Sequence, residues 1–235
     1  MVEYIKAVKL PFSDWKKLGI GTLIGIAATY VPLLNILAMF FISGYSAIIA
    51  KSAMKKKLVL PEWEKWGDML LTGAKICLID IAYLAIPTIL MVIGVGSALA
   101  GIGLGLMDFT PEIISERVAA AVGIGGLGAA LILLASLLYL VAYYFLPMAL
   151  MNFLAKGNIG AAFNFGEVAR KALRAKYLVA LLFMAAYVIV AGMAAGILDI
   201  LTAATYVGPL IVSGALVTLI AITAYSVFGQ VYAEK

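Results

Sequence analysis

Leu18-Gly-Ile-Gly-Thr-Leu-Ile-Gly-Ile-Ala-Ala-Thr-Tyr-Val-Pro32-Leu-Leu-Asn35-Ile-Leu-Ala-Met-Phe-Phe-Ile-Ser-Gly-Tyr-Ser-Ala-Ile-Ile-Ala50 is a run of 33 residues without a charge. Its reading decides how often the chain crosses a membrane. As one helix it would measure roughly 50 Å, too long for an upright crossing of ~30 Å of hydrocarbon. As two helices it falls short of the ~20 residues that each full crossing needs. Pro32 stands near the middle, where it breaks a helix and forces the residue before it towards an extended conformation. Basic-residue placement separates the two readings. If Leu18–Ala50 is a hairpin, sixteen of the seventeen lysines and arginines share one side and only Arg117 lies opposite; a single span would split them 12 against 5. The positive-inside rule favours the hairpin. The expectation is therefore an all-α polytopic membrane bundle of about six segments, with both termini cytoplasmic and the first pair short or incompletely crossing.

Composition supports the class. The 235 residues are 65% hydrophobic and 12% charged, with a mean hydropathy of +1.12. Soluble domains carry roughly 45–50% apolar and ~25% charged residues, and this chain has too few charges to coat a water-facing surface. Further apolar blocks run from Ile76 to Met107, Val118 to Ala155, Tyr177 to Leu198 and Ile200 to Ala233. The net charge of +5 sits at the ends of these blocks, which points to a membrane surface of anionic lipid headgroups attracting lysine rather than to nucleic acid. The cationic N-terminal stretch before Leu18 reads as the lead into a first membrane segment rather than a cleaved signal. In the second block, the Gly-rich tail Gly94 to Gly105 reads as a helix end and loop. In the third, Thr110-Pro111 reads as a helix start, Pro147 as a bend or end, and Met148–Ala155 as an interfacial segment.

Three stretches share a character: Leu10-Pro-Phe-Ser-Asp-Trp15-Lys-Lys17, Leu60-Pro-Glu-Trp63-Glu-Lys-Trp66-Gly-Asp68, and Ala162-Phe163-Asn-Phe165-Gly-Glu-Val-Ala-Arg170-Lys171. Each sets aromatics and mixed charges just ahead of an apolar segment, which suggests three units, about 10–59, 60–156 and 157–235, of interfacial helix plus hairpin. Aromatic rings favour the headgroup layer and long basic stems snorkel from it. Trp15, Trp63, Trp66, Phe163 and Phe165, with Lys55, Lys56, Lys57, Arg170, Lys171 and Arg174, are the candidate lipid-contact residues. In the third stretch Glu167, Arg170, Lys171 and Arg174 fall on one side, with Phe165, Ala169, Ala172 and Leu173 towards the other.

Leu60-Pro61-Glu62-Trp63, followed by Gly67-Asp68 and Gly73, resembles the signature of an uncharacterised archaeal and bacterial polytopic membrane-protein family. So does the close from Tyr225 through Gly229-Gln230-Val231-Tyr232-Ala233-Glu234, although Gln230 stands where that pattern has a basic residue. The resemblance implies a polytopic fold with aromatic-rich interfacial segments and implies no activity.

Chemistry is sparsely provided. There is no histidine and one cysteine, Cys77, which removes histidine catalysis, an internal disulfide and the usual zinc sites. No cofactor or metal site is expected. Gly123-Ile-Gly125-Gly126-Leu-Gly128 satisfies G-x-G-x-x-G, yet it lies in an apolar span and Met148 occupies the place of the ribose-binding acid. Close helix packing is the better reading, as for the small-residue pairs Gly21/Gly25, Gly101/Gly105 and Gly192/Gly196, which suit internal packing or an oligomer interface. Asp80 is the one carboxylate well inside a block. Its burial is costly, so it is either ion-paired or hydrogen-bonded near Lys75, or a proton or ion site. Asn35 beside Pro32 is a second intramembrane polar candidate, since broken helices expose backbone groups to ions. Asp108, Glu112, Glu116 and Asp199 form a rim at the opposite ends. The leading function is a non-enzymatic integral membrane module of the cell membrane that self-associates or joins a complex as an accessory or structural subunit, with shaping of the bilayer as one form of that role. The competing one is a small transporter or channel using Asp80.

Overall fold

Pro32 does break the first block. In the computed structural model, which describes residues 2–32, 34–105, 114–205 and 207–234, α2 (Trp15–Tyr30) ends at an extended Val31 and α3 (Leu34–Met54) begins beyond the proline. Asp14 caps α2 by accepting from the Lys17 amide at 3.1 Å, satisfying one of the orphan donors of the first turn. α2 and α3 pack against each other as a hairpin. At 16 residues, α2 is below the ~20 that a full crossing takes.

The remaining elements are α1 (Tyr4–Lys9), α4 (Trp66–Gly105), α5 (Ile114–Lys156), α6 (Phe165–Ala172), α7 (Ala175–Thr202) and α8 (Val207–Ala233), with short 3-10 turns at Leu10–Ser13, Ile159–Phe163 and Ala203–Thr205. The described residues contain no strand. Five helices, α3, α4, α5, α7 and α8, are long and apolar enough to cross a membrane. With α2 they make a polytopic helical bundle.

Contacts divide the chain into two compact units, residues 1–79 with 147–235, and residues 80–146. In the larger unit, α8 packs against α1, α2, α3 and α7. The helices approach closely where side chains vanish. A Cβ on Gly25 would overlap the Gly214 carbonyl, one on Gly44 the Met69 carbonyl, and one on Gly73 the Phe40 carbonyl. Thr218 then donates its hydroxyl to the Gly21 carbonyl at 2.8 Å, across from α8 to α2. Small residues at such crossings give the dispersion contact that apolar solvent-like lipid cannot drive by itself.

The smaller unit corrects the reading of the Gly-rich tail as a helix end and loop. α4 remains helical through Gly105, and two of its glycines, Gly94 and Gly101, are buried against α5, while Gly96 and Gly103 are exposed. A Cβ on Gly101 would fall 2.6 Å from the Gly125 nitrogen, and one on Gly94 would fall 3.0 Å from the Gly128 carbonyl. At Gly94 and Gly101 close tertiary contact offsets the ~1 kcal/mol that a glycine costs a helix. Of the G-x-G-x-x-G stretch, Gly125 and Gly128 thus face α4, while Gly123 and Gly126 point away from it. Thr88 adds a polar tie, its hydroxyl 2.8 Å from that of Tyr139.

Pro147 lies inside α5 without ending it, and residues 148–154 are buried rather than interfacial. Their apolar side chains fill the core of the larger unit. Thr110-Pro111, Asp108 and Glu112 fall outside the described residues, as do the surroundings of Gly105 and the Arg117 side chain.

Candidate functional site

The chemistry of the larger unit gathers where the ends of α3, α5 and α8 meet the starts of α2 and α7. Two of the three aromatic-and-charge stretches interlock there. Lys17 forms ion pairs with Glu62 at 2.7 Å and Asp14 at 3.5 Å, and donates to the Leu60 carbonyl at 3.0 Å. Trp63 donates its indole N–H to the Lys17 carbonyl at 3.0 Å. Its ring stacks on Tyr45, whose hydroxyl donates to the Pro61 carbonyl at 3.0 Å. Trp63 is 8% exposed, which corrects the expectation that it contacts lipid: the indole has a better partner in Tyr45 and the α2 backbone. Trp15 (72% exposed) and Trp66 (44%) do remain outward. Leu60–Lys65 is not helical and Leu10–Ser13 is a short 3-10 turn ahead of α2, so of the three stretches only the last forms a separate α-helix.

That last stretch is organised by Asn152, a fully buried side chain on α5. Its amide donates to the Ala161 carbonyl at 2.8 Å and to Glu167 at 3.4 Å, while its oxygen accepts from the Tyr232 hydroxyl at 2.6 Å. One residue thereby ties α5 to α6, to the turn before it and to α8. Lys156 completes the arrangement with an ion pair to Glu167. The Lys156 hydrogen bond is the main reason the Glu167 carboxyl is held below its ordinary range, with burial opposing it. The Lys171 ammonium lies 3.2 Å from the centroid of the Tyr232 ring, and burial lowers its pKa against the pull of Glu167. Further out, Arg174 donates to the Glu234 carbonyl at 2.8 Å and Lys176 pairs with the Glu234 carboxylate at 2.7 Å. Gln230 accepts from the Glu3 amide at 2.8 Å, joining the two ends of the chain.

α6 has two characters, but not quite those its sequence pattern suggests. Val168 and Ala172 are buried, whereas Phe165 and Leu173 stand exposed beside Arg170. Glu167 and Lys171 turn inward to the polar cluster. Phe163 is half-buried, Arg174 is half-buried, and Lys55, Lys56 and Lys57 are exposed. Lys56 and Lys65 both take left-handed backbone conformations, φ 60° and 53°.

Two cavities open among these elements. One, of about 590 Å³, has Glu3, Lys56, Lys176 and Glu234 on its walls. The other, of about 540 Å³, has Lys51, Lys55 and Lys156.

The intramembrane candidates are more isolated. Among the described residues Asp80 has no ion-pair partner and its buried Oδ1 has no hydrogen bond, so a pair with Lys75 is not formed. Asn35 is exposed at the start of α3. Asp199 also has a buried, unpartnered Oδ1. Of the small-residue pairs, Gly21 and Gly25 pack against α8 and Gly101 against α5, while Gly192 and Gly196 meet nothing within 4 Å.

Asn152 and Gly44 did not stand out in the sequence, and Gly73 and Tyr232 entered only as parts of the family-like motifs, without a packing or polar role. The available signals were a lone amide in the apolar run before Lys156 and glycines whose helical cost demands a packing reason. No curated protein and no solved structure matches the chain. The description "Protein of unknown function (DUF4013)" matches residues 27–200, well over half of the chain, and the chain belongs to that family.

Proposed function

We propose that the protein is a non-enzymatic module of the cell membrane that seats its basic end on an anionic cytoplasmic leaflet and associates with copies of itself or serves as a subunit of a membrane complex. The observation that carries this reading is α6, with Phe165, Arg170 and Leu173 outward and Val168 and Ala172 buried. Aromatic and leucine side chains beside arginine are what an in-plane helix presents to the headgroup boundary. Both termini lie at this end through the Glu3–Gln230 bond, and the lysine-rich side is cytoplasmic by the positive-inside rule. The Leu60–Trp63 motif serves to dock the first two aromatic stretches on one another. Self-association is assigned to the α7 face around Gly192 and Gly196, which the chain itself leaves open. Small residues in such a face let two helices approach closely.

Native mass determination after gentle extraction tests this. A homo-oligomer, or a stoichiometric foreign subunit, supports the module; a monomer in every mild detergent overturns it.

The unpartnered Oδ1 of Asp80 favours a second reading, transport of a cation or proton. Flux into proteoliposomes that disappears in Asp80→Asn would establish it, and unchanged permeability of both proteins would remove it.

A further inference from the structure

We propose that the 540 Å³ cavity between the ends of α3, α5 and α8 is a specific site for a phosphate-bearing lipid headgroup. The proposal rests on the anionic-leaflet reading above and goes beyond it, from diffuse attraction to a defined site. Lys51, Lys55 and Lys156 line the cavity together with Met54, Leu154 and Tyr232, and none of its described lining residues is acidic. Its volume is within the roughly 300–1,000 Å³ of small-ligand sites. The Lys51 and Lys55 ammonium groups provide charge-assisted donors beside the Glu167-paired Lys156, and the apolar side chains suit the glycerol and upper acyl carbons that accompany a headgroup phosphate.

Lysines in a last helical turn commonly serve only to offset the negative end of the helix. Here the backbone already meets much of that need. The Lys57 amide donates to the Ser52 carbonyl at 2.9 Å and the Lys56 amide to Ala53 at 2.9 Å, closing α3; the Gly157 amide donates to Phe153 at 2.8 Å, closing α5. Lys156 is matched by Glu167, but Lys51 and Lys55 have no ion pair among the described residues. The neighbouring 590 Å³ cavity provides the contrast. Its Lys56 and Lys176 face Glu3 and Glu234, so it is balanced in charge and has no net draw on an anion.

The test compares two variants of equal charge loss, Lys51→Gln/Lys55→Gln and Lys56→Gln/Lys57→Gln, in the full chain. Retention of dioleoyl phosphatidic acid from neutral mixed micelles is read by native mass spectrometry, with inorganic phosphate added as competitor. The expectation is one lipid per wild-type chain, retained about tenfold less by the first variant and less than about threefold less by the second. Displacement of the lipid by millimolar phosphate would assign the site to a free phosphate and overturn the headgroup. Equal losses in the two variants would overturn the site while leaving diffuse leaflet attraction intact. No retention by the wild type would overturn the site and the anionic-leaflet reading together, whereas the oligomer mass tests self-association separately.

Discussion

Trp63 and Tyr45 stack with ring centroids 3.8 Å apart and planes within 2° of parallel. The pair fills the core beside Leu10, Ile49 and Met69, and each ring also spends its polar end on a backbone carbonyl of the opposite stretch. It is the joint between the first hairpin and the lead into α4.

Removing that joint has a graded cost. Trp63→Ala is expected to destabilise by about 3–5 kcal/mol, the range for emptying a buried aromatic site. Trp63→Phe keeps a ring against Tyr45 but loses the donor to Lys17, for about 1 kcal/mol. Melting temperature in detergent should fall in that order; equal falls would show that stacking contributes nothing beyond the hydrogen bond.

Glycine substitutions should separate packed positions from open ones. A methyl at Gly44 or Gly73 meets a carbonyl of the facing helix, so Gly44→Ala and Gly73→Ala must push α3 and α4 apart, at about 1–3 kcal/mol each. Gly192→Ala meets nothing within 4 Å among the described residues and should gain up to ~1 kcal/mol of helix propensity. If the α7 face joins two copies, the same substitution lowers the native mass. A Gly44→Ala protein as stable as wild type would contradict the observed approach of the two helices.

Much of the bundle was legible because charge and proline act through solvent and local backbone, which sequence records directly. Pro32 fixes the break between α2 and α3, and lysine placement groups the helix ends. What sequence could not show depended on partners distant along the chain. Gly94 to Gly105 looks like loop until α5 supplies Gly125 and Gly128. Trp63 looks interfacial until Tyr45 and Lys17 claim both its face and its N–H. Asn152 shows locally only as a lone amide in an apolar run, since its three bonds reach Ala161, Glu167 and Tyr232.

Asn152→Leu is isosteric enough to keep the packing but leaves the Tyr232 hydroxyl and the Ala161 carbonyl without their partner. The expected cost is about 1–3 kcal/mol. Because the loss falls on the seat of α6, amide exchange should quicken in α6 before it does in α3. Uniform exchange across both helices would mean that Asn152 supports the whole unit rather than α6.

Acid should release the same helix, and the sign follows from Glu167. Its folded pKa lies below the unfolded one, chiefly through the hydrogen bond from Lys156. The stability it contributes is therefore present above the ordinary glutamate range and is lost as pH falls through the lowered folded value. Glu234 behaves likewise, held down first by Lys176. Melting temperature should drop on acidification through that window, and Lys156→Gln should flatten the drop by raising the folded pKa of Glu167 towards its unfolded value. Glu167→Gln should flatten it further, since no carboxylate remains to titrate there. Identical acid slopes for wild type, Lys156→Gln and Glu167→Gln would show that the pair does not hold α6 in place. A residual slope common to both variants is assigned to Glu234, and Lys176→Gln should reduce it.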